Sequence, residues 1–231
     1  MELKGIQKLT LLDYPGKVAC TVFTGGCNFR CPFCQNSDLV ISPRLNPSIP
    51  ASEVFELIEK RRGMLDGVCI SGGEPLMQND LNDFISECKA RGALVKLDTN
   101  GFLVDRLRTI TENRLVDYIA MDIKASPENY GKLVGIKAFD PAPILESVEL
   151  IKRSGIEHEF RTTVVGDLHT QADFEAIGEW LAGEPHYFLQ KFVDSGALIE
   201  AGHSPADDDT MRKYLGIVQK RIPAAALRGL D

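Results

Sequence analysis

Between residues 17 and 220 the chain alternates short apolar, partly β-branched runs with longer segments whose apolar positions recur every three or four residues. The first kind reads as buried strands and the second as amphipathic helices. Strands are predicted at 17–23, 67–71, 94–98, 118–123, 157–165 and 186–192. Helices are predicted from Ser52 to about 62, then at 79–91, 104–113, 143–154, 171–181 and 206–220. The repeat of roughly 25–35 residues is that of successive βα units. Six parallel strands joined by right-handed crossovers are too few to close an eight-stranded barrel. The expected fold class is therefore α/β, an open (βα)6 partial TIM-type barrel. Residues 1–16 read as an extended lead-in ending at the Pro15-Gly16 turn, and 43–50 as a proline-rich linker. No internal sequence repeat or low-complexity tract interrupts the rhythm, so a single domain over 1–231 is expected.

Composition narrows the function classes. The formal charge of −7 argues against a nonspecific nucleic-acid or membrane-surface binder. The N-terminus carries no apolar h-region, and no run approaches the roughly 18 apolar residues of a membrane span, so a cytoplasmic protein is expected. Six cysteines in a chain of 231 residues without an export signal do not read as a disulfide framework. Cys20, Cys69 and Cys88 stand singly in apolar or amphipathic contexts and read as buried small hydrophobes. His158, His169, His186 and His203 are scattered and read as structural or solvent-facing.

The chemistry collects at Cys27-Asn-Phe-Arg-Cys31-Pro-Phe-Cys34. Thiolates are soft ligands suited to iron–sulfur clusters, zinc or Cu(I). Three of them leave a four-iron cluster with one iron open to a substrate, as catalytic metal sites keep an open position. A non-catalytic zinc or iron–sulfur module is the competing reading, although no fourth Cys or His lies at a paired spacing. Ligands in parallel α/β folds bind at the carboxyl ends of the strands. The groups placed there are this loop, Gly72-Gly73-Glu74, Asp98-Thr99-Asn100-Gly101, and Asp122 with Lys124. Each alone also has a plain reading: a strand-to-helix turn, a turn or helix cap, and a surface ion pair. Their joint placement favours a ligand site, with the glycines allowing close backbone approach.

The C-x3-C-x2-C spacing with Phe33 before the last cysteine, followed by Gly72-Gly73-Glu74, resembles the radical S-adenosylmethionine superfamily. Asp13-Tyr14-Pro15-Gly16, Leu97 to Gly101, and Met121-Asp122-Ile123-Lys124 resemble its activating enzymes of glycyl radical proteins. The opening residues are most similar to the longer activators of anaerobic ribonucleoside-triphosphate reductase. The resemblance implies a [4Fe-4S] cluster on Cys27, Cys31 and Cys34, and S-adenosylmethionine bound by Phe33, Gly72, Gly73, Glu74, Asp122, Lys124, Arg161 and Gln190. It also implies a monovalent cation beside Asp98, Thr99, Met121 and Asp122. The implied partners are a glycyl radical enzyme, whose glycine loop an open barrel would admit, and a flavodoxin- or ferredoxin-type electron donor. No nucleic acid and no membrane are implied. Action on a small molecule or modified nucleotide is the alternative within the superfamily. Gln35 stands where many relatives carry His, and 39–52 lacks the cysteines of a second cluster.

Overall fold

A computed structural model describes residues 1–230. In chain order the strands are β1 (Glu2–Thr10), β2 (Ala19–Thr24), β3 (Ile49–Pro50), β4 (Gly67–Gly72), β5 (Leu94–Thr99), β6 (Tyr118–Asp122), β7 (Glu157–Val164), β8 (Tyr187–Lys191) and β9 (Ala226–Arg228). The helices are α1 (Ser37–Ile41), α2 (Ala51–Lys60), α3 (Leu81–Ala90), α4 (Val104–Glu112), α5 (Tyr130–Leu133), α6 (Ala142–Ser154), α7 (Gln171–Trp180) and α8 (Asp208–Val218). All six predicted strands form. The chain divides into two compact units: 1–28, 38–120 and 143–158 make the first, and 29–37, 121–142 and 159–231 the second.

In the first unit the strand order is β3-β1-β2-β4-β5. The β2–β4 and β4–β5 pairs are parallel, whereas β1 runs antiparallel to β2 and to β3. The lead-in expected over 1–16 is thus a sheet strand for most of its length. The linker at 43–50 holds one 3-10 turn, Pro43–Leu45, and the two-residue β3. In the second unit β7, β8 and β9 run parallel, and Ile123 just past β6 donates its N–H to the Arg161 carbonyl of β7 at 2.8 Å. The short strand β3 is an edge of the first unit's strand order and β9 an edge of the second's, and the class is α/β with mostly parallel strands. β9 went unpredicted because three residues carry no periodicity.

Parallel strands buried on both faces need near-continuous apolar sequence. Val68, Cys69 and Ile70 of β4 and Ile119, Ala120 and Met121 of β6 are fully buried. The helices cover them with one stripe each: α3 buries Leu81, Phe84, Ile85 and Cys88, an i, i+3, i+4, i+7 set. α7 begins with a capping box between Thr170 and Asp173. Cys20, Cys69 and Cys88 are buried, as expected. Burial pushes the thiol of Cys20 up to about 11 and that of Cys88 to about 12, so both stay protonated. Among the described residues no helix is long and apolar enough to cross a membrane.

Candidate functional site

In the first unit the loop after β2 and the turn after β4 close on one another through their backbones. Gly73 N–H bonds the Thr24 carbonyl at 2.9 Å and Glu74 N–H bonds the Gly26 carbonyl at 2.8 Å. A Cβ on Gly73 would lie 1.8 Å from the Gly26 oxygen. Gly72 has φ +112°, and a Cβ there would meet the Thr24 nitrogen at 2.4 Å. Neither position accepts another residue, and the turn is thereby held against the residue that precedes Cys27.

The Glu74 side chain is 1% exposed. Its Oε1 accepts from the Leu76 N–H at 3.1 Å and the Thr99 hydroxyl at 2.8 Å, and its Oε2 accepts from the Asn100 N–H at 2.8 Å. The carboxylate therefore ties the turn after β4 to the end of β5. Asn100 continues the chain of contacts, with its Nδ2 3.7 Å from Cys27 Sγ and 2.8 Å from Asn28 Oδ1. Asn28 Nδ2 is buried with no hydrogen-bond partner. An orphaned donor of this kind is costly unless a ligand satisfies it. Asn28 was not singled out from sequence, and Asn100 entered only within Asp98-Thr99-Asn100-Gly101, since an Asn beside Gly101 reads first as a turn residue.

Asp98 has both oxygens engaged: Oδ1 with the Lys96 ammonium, and Oδ2 with the Ser71 hydroxyl at 3.0 Å. Lys96 itself is 1% exposed. The only sequence signal for it is its place two residues before Asp98, hence on the same strand face.

In the second unit Cys31 and Cys34 share a turn in which Cys34 N–H bonds the Cys31 carbonyl at 3.0 Å. Arg30 N–H is held by the Val134 carbonyl at 2.9 Å. The other flank is held by residues 193–200, a segment following β8. Glu200 N–H bonds the Pro32 carbonyl at 2.9 Å, Gln35 Nε2 the Val193 carbonyl at 2.5 Å, and Ser37 Oγ the Ala197 carbonyl at 2.8 Å. Gln35 is thus an anchor for this strap. Replacing Gln35 and Ser37 together with alanine is expected to speed loss of the reconstituted cluster's visible absorbance to a chelator about fivefold, the factor given by about 1 kcal/mol of lost hydrogen bonding. An unchanged bleaching rate would remove the strap's protective role.

Phe33 is buried and meets the His169 ring edge-on, with centroids 6.4 Å apart. Burial lowers the pKa of His169 against the opposing pull of its backbone partners, so the ring is neutral at neutral pH. Its Nε2 lies 2.9 Å from the Lys124 carbonyl and its Nδ1 accepts from the Val165 N–H at 3.1 Å, which assigns the proton to Nε2. Met121 is fully buried. Asp122 accepts from Arg161 Nε at 2.5 Å and from Lys124 Nζ at 2.9 Å. Burial raises the Asp122 carboxyl, but Arg161 and Lys124 outweigh it and hold it well below the usual carboxylate range. Burial disfavours the Lys124 ammonium, yet Asp122 and then Cys31 hold it above the usual lysine range. The ion group is therefore fully formed at neutral pH and fades only as pH falls through the depressed folded pKa of Asp122. Arg161 Nη1 also lies 3.9 Å from buried Glu159, which Arg228 grips at 2.9 and 2.7 Å. Gln190 sits on β8 in register with Thr163 and Arg228.

The predicted residues thus fall into two sets. Cys27, Gly72 to Glu74, Asp98 and Thr99 belong to the first unit; Cys31, Phe33, Cys34, Met121, Asp122, Lys124, Arg161 and Gln190 belong to the second. None of the three loop cysteines is in a disulfide. A sequence profile of the radical SAM superfamily matches residues 21–181. The chain belongs to the radical SAM superfamily. Its cofactors are the superfamily's: a [4Fe-4S] cluster and S-adenosylmethionine. Three thiols suit such a cluster with one open iron, and the orphaned Asn28 donor suits a polar ligand.

This radical SAM enzyme is 29% identical to a Methanocaldococcus jannaschii protein provisionally named a glycyl-radical enzyme activating enzyme, over 99% of this chain and 96% of that one. It is 34% identical to the pyruvate formate-lyase-activating enzyme of Listeria monocytogenes over 64% of this chain and 62% of that one. Among solved structures, Streptococcus suis SuiB bound to its precursor peptide SuiA matches with a TM-score of 0.71 at 13% identity, over 90% of this chain and 48% of SuiB. At that identity the likeness shows the fold alone, the partial barrel of radical SAM enzymes.

Proposed function

We propose that this protein is an activase that generates a glycyl radical on a partner enzyme, with anaerobic ribonucleoside-triphosphate reductase as the first partner to test. The alignment to the M. jannaschii protein, which spans nearly the full length of both chains, carries this reading. Cys27, Cys31 and Cys34 would hold the cluster, and Gly72, Gly73 and Glu74 with Phe33, Asp122, Lys124, Arg161 and Gln190 would hold S-adenosylmethionine. When bound, these groups supply a 5′-deoxyadenosyl radical able to take hydrogen from a glycine Cα. The chain's part is to bind, orient and exclude water. The turn from Gly72 to Glu74, fixed against Thr24 and Gly26 by two backbone hydrogen bonds, would hold the methionyl moiety in one set position. Asp122 presents a fixed negative charge, and Lys124 and Arg161 present donors already oriented by it. A flavodoxin- or ferredoxin-type donor in the cytoplasm would reduce the cluster.

The test is anaerobic incubation of the reconstituted, reduced protein and S-adenosylmethionine with candidate glycyl radical enzymes. A doublet glycyl radical signal by electron paramagnetic resonance is the expected result. Its reproducible absence across those partners, with S-adenosylmethionine still cleaved, sinks the activase reading. A 26% identity to the GTP 3′,8-cyclase of Synechocystis over 67% of this chain favours a second reading, action on a nucleotide. That reading requires deoxyadenosine formation to accelerate with a nucleotide and no protein partner.

A further inference from the structure

Lys96 is a fully buried lysine that the proposed reaction does not use. It lies on β5 in register with Cys69 of β4. Its ammonium contacts Asp98 Oδ1, approaches Cys69 Sγ at 3.8 Å, and lies 6.0 Å from the centre of the Tyr118 ring. A carboxylate, a polarisable sulfur and an aromatic face together form a nest for a fixed cation. The second Asp98 oxygen holds the hydroxyl of Ser71, the residue leading directly into Gly72-Gly73-Glu74. Thr99, next along β5, gives its hydroxyl to Glu74 and takes the Gly101 N–H at 3.0 Å. The charge on Lys96 therefore buttresses, through Asp98 and Ser71, the turn assigned to the cofactor.

The same residues do not fit a monovalent cation at Asp98 and Thr99. A cation there would have to share oxygens that already accept from the Lys96 ammonium, the Ser71 hydroxyl and the Gly101 N–H, and it would lie beside the like charge of that buried ammonium. An ammonium carries the same single charge and offers three donors to oxygen ligands.

We propose that Lys96 is a built-in counter-ion for Asp98 that takes the place of a bound alkali-metal ion, making cofactor binding by this protein indifferent to Na⁺ and K⁺. Lys96 is a positioning residue. The inference rests on S-adenosylmethionine as the ligand, and it does not depend on which partner or substrate receives the radical.

The test uses the reconstituted holoprotein without any partner, in sodium, potassium, lithium and choline chloride at one ionic strength. Melting temperature and S-adenosylmethionine affinity are measured for the natural protein and for Lys96→Met and Lys96→Gln. The natural protein is expected to give one melting temperature and one affinity in all four salts. The variants expose Asp98 to an alkali ion, so Na⁺ or K⁺ in place of choline should raise both, with affinity rising roughly 5- to 150-fold, the span of ordinary coupling between two ligands. A natural protein that itself responds to Na⁺ or K⁺ overturns the proposal. So do variants that stay indifferent to every cation, or that fail to fold in all four salts. Failure of the glycyl radical assay leaves these readouts unchanged, so the two readings fail separately.

Discussion

Replacing Gly73 with alanine is expected to lower S-adenosylmethionine cleavage at least about a hundredfold, the effect of displacing a reacting group by about 1 Å. The new methyl would lie 1.8 Å from the Gly26 carbonyl oxygen. The clash is with backbone, so no rotamer change relieves it. Either the Glu74 N–H to Gly26 carbonyl bond opens or Gly26 moves, and Cys27 is the next residue. The overpacking costs about 1–3 kcal/mol of stability. Gly216→Ala is the control, because that glycine lies in α8 with nothing within 4 Å of its Cβ position. It should gain about 0.5–1 kcal/mol by removing a helical glycine. Urea denaturation and single-turnover cleavage of the cofactor measure both. A Gly73→Ala protein that cleaves S-adenosylmethionine at the natural rate would refute the close-packed turn.

Glu74→Ala is the more damaging change for the fold. It leaves the Leu76 N–H, the Asn100 N–H and the Thr99 hydroxyl without their acceptor in a buried position. Each buried donor left unpaired costs about 1–3 kcal/mol, and because the three relax together about 3–5 kcal/mol in all is expected. That is a large part of the 5–15 kcal/mol of an ordinary domain. Glu74→Gln should rescue only partly. Three donors converge on two carboxylate oxygens, and an amide must turn its NH2 toward at least one of them. The expected order of urea midpoints is natural protein, then Gln, then Ala. Equal midpoints for Gln and the natural protein would mean that the carboxylate charge is not what holds the turn.

The extent to which all this was legible differs by range. Strands β4 and β6 declared themselves because burial on both faces demands apolar runs, and the cysteine spacing reads as a metal loop because soft ligands seldom cluster otherwise. The partners of polar groups did not declare themselves. Nothing near Gln35 in the chain indicates that its amide meets the Val193 carbonyl, 158 residues away. Lys96 reads from sequence as a charge in a strand, and only the parallel register with Cys69 shows that it faces a packed interior. The glycines at 72 and 73 mark a turn in the sequence. Its reason, a second backbone lying within bonding distance, belongs to the tertiary structure.

The strap at 193–200 is fastened by main-chain atoms on its own side: the carbonyls of Val193 and Ala197 and the N–H of Glu200. Its side chains carry none of these three fastenings. Such a segment can change its sequence over evolutionary time without loosening the cysteine loop it grips. Natural drift, or a designer, can rewrite Val193, Leu198 and Ile199 to suit a new protein surface while the cysteine turn they flank keeps its backbone fastenings.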